Sequence, residues 1–253
     1  MKNTNSTLNM KLAALILLLG GLLCLSVSKV MAAPPETAAE YKHNEDMRAS
    51  MKVERASDQV DAEATLRKAT DLYAAMVQGE HGQVPESVLS KARCVAVIPE
   101  VITGAVIVGG SHGVGVASCK ENNIWSQPAF LRLSSISLGA QIGGKSSDLV
   151  LFMISEQAKT ALKAGRIRLG ADLSVAAGTF ERGLDASTHQ VIAYSRTQGA
   201  FAGASLSGGT MSGDDDTTAA FYGENIEFAS LLAGDVRTED NVSVERFTAL
   251  LPQ

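Results

Sequence analysis

Aromatic residues make up only 5% of this 253-residue chain, tryptophan occurs once and cysteine three times. A core so poor in rings has to be built from Val, Ile, Leu and Ala, and 23 glycines allow backbones to approach closely where small side chains pack. Histidine is equally scarce. His43, His81, His112 and His189 are the full set, and none is spaced with the cysteines as a zinc site requires. A phosphate-binding P-loop is absent: Gly143-Gly-Lys-Ser146 has the lysine but lacks the upstream glycine. Positive charge is in deficit, with 22 Lys and Arg against 27 Asp and Glu, a formal charge of −5. That balance argues against nucleic acid, whose binding depends on neutralising phosphates. It also argues against plain electrostatic adsorption to an anionic membrane. Any lipid contact must be local or apolar.

What is present begins with an export signal over residues 1–32. Lys2 and Lys11 precede an apolar run from Leu12 to Val27, and Val30-Met31-Ala32 offers a cleavage site. The run is short for a membrane-spanning helix, which makes a retained anchor the lesser reading. Lipoprotein processing at Cys24 is another lesser reading, because Leu23 stands where a small residue is wanted. Cleavage removes Lys2, Lys11 and Lys29 and no acid, taking the charge from −5 to −8. The expected location is the periplasm or cell envelope. Two cysteines remain, Cys94 and Cys119, and an oxidising compartment favours a bridge between them over two buried thiols.

Residues 33–56 read as a polar, solvated lead-in of mixed charge, either a frayed helix or a linker, and 57–253 as one domain. Ser57 or Asp58 is placed to cap a helix whose apolar face holds Val60, Ala64, Leu66, Ala69, Leu72, Tyr73 and Met76. Pro85-Glu86 starts a second, short helix. From Cys94 to Cys119 the pattern predicts three short strands, broken at Pro99-Glu100 and at Gly109, Gly110 and Gly113. The cysteine bridge then requires the first and third of them to lie side by side. Ala129–Leu133 and the apolar run Asp148–Ile154 predict further strands, the second buried and central, after which Ser155 caps a helix that Gly165 closes. Arg166–Gly178 reads as a strand or strand pair, Val191–Tyr194 as another, and helices are expected near 224–232 and 243–251. Small residues alternate with larger ones in Leu138–Gly143, Leu169–Ser174 and Gly199–Leu206. Glycines repeated inside strands imply a sheet that bends sharply. The expected fold is α+β: a strongly curved, glycine-rich antiparallel sheet or small barrel covered by N- and C-terminal helices.

Catalytic signals are thin. Gly109–Gly115 looks superficially like a nucleotide loop, but β-branched residues follow it where a dinucleotide site needs a helix. Ser111-His112 lacks a recognisable orienting acid. Asp214-Asp-Asp216 is either a cation site or a solvated turn that caps the segment starting at Thr217, and the turn is favoured because calcium loops spread their ligands.

Six segments in order then resemble a known family. They are Lys91-Ala-Arg-Cys-Val-Ala-Val-Ile-Pro99; Val108-Gly-Gly110 with Gly113-Val-Gly-Val116; Gly139-Ala-Gln-Ile-Gly143; Leu169–Gly178; Tyr194-Ser-Arg-Thr-Gln-Gly-Ala-Phe-Ala-Gly203; and Phe221-Tyr-Gly223. Over about residues 57–232 the chain resembles the SYLF-domain family, in a stand-alone exported bacterial form. The resemblance implies phospholipid or membrane binding, no cofactor, no metal and no catalytic residues. It implies an N-terminal amphipathic helix in membrane contact, a part that Arg67 and Lys68 would play beside Leu66, Leu72 and Met76. Within the matched motifs, Lys145, Arg166, Arg168 and Arg196 at strand ends are the other candidates for the headgroup. Protein partners are not legible, and an envelope-interaction protein without a small ligand is the alternative.

Overall fold

A computed structural model describes residues 38–78, 84–105, 108–138, 143–177, 190–196, 209–238 and 241–253. The segment 1–32 read as an export signal, with Cys24, the stretch 139–142, His81, His189 and the repeat at 199–206 lie outside the described residues. By internal contacts the chain divides into two units, residues 1–50 and 51–253. Of the first, the described part is helical.

Helix α1 (Ala38–Val77) runs without interruption through Ser57 and Asp58, where the sequence predicts a start. Positions 45–61 are exposed, as a solvated lead-in would be, and they are helical rather than linker. A helix with no apolar stripe gives no periodicity to read, which is why its first turns escape a pattern search. From Ala62 the buried face appears: Leu66, Ala69, Leu72, Tyr73 and Met76 all enter the core. Helix α2 (Glu86–Leu89) follows Pro85 as expected and buries Val88.

The sheet contains β1 (Cys94–Ala105), β2 (Val108–Glu121), β3 (Ile124–Trp125), β4 (Ala129–Leu138), β5 (Gly143–Met153), β6 (Arg166–Arg168), β7 (Val175–Ala177), β8 (Val191–Arg196) and β9 (Thr210–Gly213). Their order is β6-β9-β4-β2-β1-β5-β8-β7, with β3 paired to β2 off this path. All pairs are antiparallel except β7 with β8, which corrects the purely antiparallel expectation.

The strand order itself shows the curl. β6 and β7 stand at opposite ends of the path, yet only residues 169–174 join them. Seven strand spacings on a flat sheet would separate these ends by about 34 Å. The connecting chain can span at most about 24 Å. Leu169 and Leu173 also bridge to one another, and Gly170, at φ 79°, allows the tight turn. The sheet is therefore a strongly curled, open half-barrel. Arg166–Gly178 forms two strands as read, but they pair with β9 and β8 rather than with each other.

Between Cys94 and Cys119 there are two long strands, not three short ones. Pro99-Glu100 does not end β1. It inserts one extra residue, a β-bulge that shifts the register against both neighbours: Val97 pairs with Val116 but Ile102 with His112, and Ile98 with Leu149 but Val101 with Ser147. The glycines are not turn residues either; they lie inside β2, with Gly113 and Gly115 beneath the bulge and Gly109 and Gly110 paired with Ala105 and Gly104 beyond it. A Cβ on Gly115 would sit 2.1 Å from the Val97 carbonyl oxygen, and one on Gly113 would sit 2.8 Å from Ile98 Cγ2. Their role is close backbone approach. Cys94 and Cys119 are directly opposite in register, fully buried and joined by a disulfide, the pairing expected from the sequence.

Both sheet faces are covered. Along β1, Cys94, Ala96 and Ile98 point to one side, where they meet Ala158 and Leu162 of α3 (Glu156–Lys163) and Phe228, Leu231 and Leu232 of α5 (Phe228–Ala233). Val95 and Val97 point to the other, under α1, α2 and Val244 and Phe247 of α6 (Val242–Ala249). Ser155 caps α3, its hydroxyl accepting from Ala158 N at 3.0 Å, and Gly165 follows at φ 77°. The C-terminal helices thus divide between the two faces. Among the described residues no helix is long and apolar enough to cross a membrane.

Candidate functional site

The bulge that distorts β1 also builds the best candidate site. Glu100 takes a left-handed conformation, φ 53°, which lifts it out of the ladder, and its backbone N–H donates to Asp148 Oδ1 on β5 at 3.1 Å. Its side chain reaches α1, where Lys68 Nζ lies 2.5 Å from Glu100 Oε2. Asp148 in turn receives Arg196 of β8 at 3.4 Å, in the register that sets these residues opposite one another. One turn along α1, Asp71 pairs with Arg246 of α6 at 3.2 Å. Lys68, Asp71, Glu100, Asp148 and Arg196, with Leu72 and Pro99, line an open depression of about 270 Å³.

Two of the six basic residues selected from the sequence, Lys68 and Arg196, therefore meet in one place despite lying far apart in the chain. Each is held by a carboxylate partner rather than standing free, Lys68 by the exposed Glu100 and Arg196 by the half-buried Asp148. Pairs of this exposure contribute about 0–1 kcal/mol each. They are cheap to open, so an incoming anion can take over either cation. The carboxylates Asp71, Glu100 and Asp148 were missed by sequence reasoning, since their pairings with α1, β1, β5, β8 and α6 span long stretches of chain. The one local signal was Pro99-Glu100 inside a strand, the usual mark of a bulge.

The other four candidates fall elsewhere. Arg67 is exposed and makes no hydrogen bond or ion pair among the described residues. The apolar residues named with Arg67 and Lys68 are not available to a membrane, because Leu66, Leu72 and Met76 are buried against the sheet. Lys145 stands opposite Thr103 in the β1–β5 register, and its side chain lies outside the described positions. Arg166 and Arg168 are exposed on the edge strand β6. Arg168 is engaged by Asp172, with Nη2–Oδ1 at 3.0 Å and its backbone N–H on Oδ2 at 2.9 Å. Those hydrogen bonds hold the Asp172 carboxyl below the usual range and raise the Arg168 guanidinium further.

Among the described residues the catalytic alternatives are not assembled into a site. Ser111 Oγ is bonded to Thr103 Oγ1 at 2.7 Å, and His112 is exposed in β2 opposite Ser134, with no acid to orient it among the described residues. Asp214 is buried rather than solvated. It caps α4 (Asp215–Tyr222) by accepting from Thr217 N at 3.1 Å and pairs with Arg132 at 2.7 Å. Asp215 accepts from Phe228 N at 2.8 Å and so ties α4 to α5. Two of the three acids are thus engaged within the fold, Asp214 as a cap and Asp215 as a tether. Among the described residues no three His, Cys, Asp or Glu side chains group to hold a metal ion.

Comparison with known proteins adds a family. Residues 134–252 match the family model Ysc84, described as "Las17-binding protein actin regulator". An SH3 domain-containing protein of Schizosaccharomyces pombe is 32% identical over 167 residues, 62% of this chain and 39% of that protein. The human SH3 domain-containing YSC84-like protein 1 is 31% identical over 159 residues, 60% of this chain and 46% of the relative. Protein YSC84 of Saccharomyces cerevisiae is 31% identical over 170 residues, 64% and 36% respectively. The chain spans under half the length of these curated relatives. No solved structure matches it.

Proposed function

The chain belongs to the Ysc84 (SYLF) family, and from that premise we propose that it is a non-catalytic, exported module that binds membrane phospholipid. The observation that carries this reading is the depression at the β1 bulge, where Lys68 and Arg196 face a shared opening over Leu72 and Pro99. A headgroup phosphate entering it exchanges two weak surface pairs for charge-assisted bonds, while glycerol and the first acyl carbons meet the apolar floor. Export is supported by the lysine-flanked apolar segment at the N-terminus and by the Cys94–Cys119 bridge, which suits an oxidising compartment.

The test has two arms. Vesicle flotation across several headgroups and salt concentrations measures membrane binding. Titration with short-chain phosphatidylglycerol and phosphatidylethanolamine, followed by NMR, measures headgroup capture without a bilayer. Lys68→Ala with Arg196→Ala is expected to abolish the chemical-shift changes. A wild-type protein that responds to no lipid in either arm overturns the reading. The second reading, a protein-interaction module, is favoured by the family's own description as a Las17-binding actin regulator and would then stand in its place.

A further inference from the structure

A depression holds one headgroup, whereas a bilayer is met over a wider area, and another part of the fold has the composition for that contact. β2 and β3 are joined by Asn122-Asn123, both in the left-handed region at φ 50° and 63°, a two-residue hairpin turn. Directly after it stands Ile124, 56% exposed at the tip of a rigid turn. Trp125 anchors that tip, its Nε1 donating to the Pro252 carbonyl at 2.7 Å.

Cations collect around this tip from three separate segments. Lys120 Nζ lies 5.3 Å from the Trp125 ring centroid. Lys159 on α3 donates to the Lys120 carbonyl at 2.8 Å and pairs with Glu121 at 2.9 Å, while Lys163 reaches the same carboxylate at 2.7 Å. The Arg93 carbonyl accepts from Lys120 N at 2.7 Å, and its guanidinium pairs with Glu156. Lys91 is exposed two residues earlier. Arg93 pairs with Glu156, and Lys159 and Lys163 share Glu121, while Lys91 and Lys120 have no ion pair among the described residues, in a chain with a formal charge of −5. Burial pulls the Glu121 carboxyl upward, but the hydrogen bonds from Lys163 and Lys159 outweigh it and keep the group low and ionised.

We propose that this end of the sheet docks on an anionic membrane surface, with Ile124 entering the headgroup layer while Lys91, Arg93 and Lys120 meet lipid phosphates. The proposal rests on the lipid-binding reading above and assigns it a second, distinct surface. Charge complementarity selects the partner. The excess of cations is local to this end, so an anionic bilayer attracts it and repels the acidic remainder, which fixes the orientation of docking. The exposed isoleucine supplies the apolar contact that electrostatics alone lacks. Each cation near such a surface contributes about fivefold in partitioning.

The experiment compares the wild-type protein with a Lys91→Glu, Ile124→Asp variant, both residues being exposed and remote from the core. Vesicles of phosphatidylcholine alone and of phosphatidylcholine mixed with phosphatidylglycerol are the probes. Wild type is expected to float with the mixed vesicles in a salt-sensitive manner, and the variant to partition about tenfold less or lower. The variant is also expected to keep the wild-type melting temperature and the wild-type response to short-chain lipid, which separates docking from folding and from headgroup capture. A variant that partitions as wild type overturns the proposal and leaves the headgroup reading standing. A wild-type protein that responds to neither vesicles nor short-chain lipid overturns both.

Discussion

Removing the Cys94–Cys119 bridge tests how the central pair of strands is stabilised. The two cysteines close a loop with a sequence separation of 25, and both sit at 0% exposure between the longest strands of the sheet. In the chain-entropy description, opening a loop of that length returns freedom to the unfolded chain worth about 3.5 kcal/mol at 25 °C. For a chain of this size that corresponds to a fall of roughly 7–14 °C in Tm. The native pairing should survive, because β1 is also held by β5 along its length and Val95, Val97, Ala96 and Ile98 stay buried on both faces. The assay is urea unfolding of oxidised protein against a Cys94→Ala, Cys119→Ala variant, with non-reducing peptide mapping to confirm that Cys94 is joined to Cys119 in the wild type. Reduced wild-type protein serves as a second comparison that retains both sulfurs. A difference below about 1 kcal/mol in both comparisons would refute the loop-closure argument. It would mean that the unfolded chain already keeps β1 and β2 together.

Two further perturbations follow from single contacts. Tyr73 is fully buried between Phe152 and Phe247, and its hydroxyl has no hydrogen-bond partner among the described residues. Tyr73→Phe is therefore expected to raise stability by about 1 kcal/mol in thermal or urea unfolding, and a loss of that size would show that the hydroxyl is satisfied. Gly115→Ala places a methyl 2.1 Å from the Val97 carbonyl oxygen, against backbone that cannot move without opening the bulge, and is expected to cost about 3 kcal/mol. Gly113→Ala meets the Ile98 side chain at 2.8 Å instead and should cost less; equal losses would refute the close-approach argument.

Elements governed by local rules were legible in the chain. Ser155 and Gly165 bracket α3 because capping needs only neighbouring residues, and Asp148–Ile154 reads as a buried strand because both its faces are apolar. Strand partners were not legible. Arg166–Arg168 and Val175–Ala177 lie within one segment read as a strand or strand pair, yet the curl of the sheet sends them to opposite edges. Period-two alternation states that a residue is in a strand and says nothing about its neighbour across the ladder. The glycines of β2 failed for a related reason, since a glycine needed for a turn and one needed for close approach look alike until the opposing backbone is placed. In the site, the cations could be selected by charge, but their carboxylate partners come from contacts between separate elements, set by the register and by where the bulge lifts Glu100.

Core and candidate site share one structural cause. The extra residue at Pro99-Glu100 forces Val97 and Ile98 against β2, which only Gly113 and Gly115 accommodate. The same residue, at φ 53°, carries its carboxylate to Lys68 and its N–H to Asp148. A substitution at Glu100 therefore has two separable components. Glu100→Gln keeps the bulge and removes the charge, so it reports on Lys68 alone. A β-branched residue there opposes the left-handed conformation as well, at a cost of about 1–2 kcal/mol, and disturbs the position of Asp148 and Arg196 together. The depression is thus shaped by the bulge together with the β5–β8 register, and its cations are gathered from separate elements rather than by any charge run along the sequence.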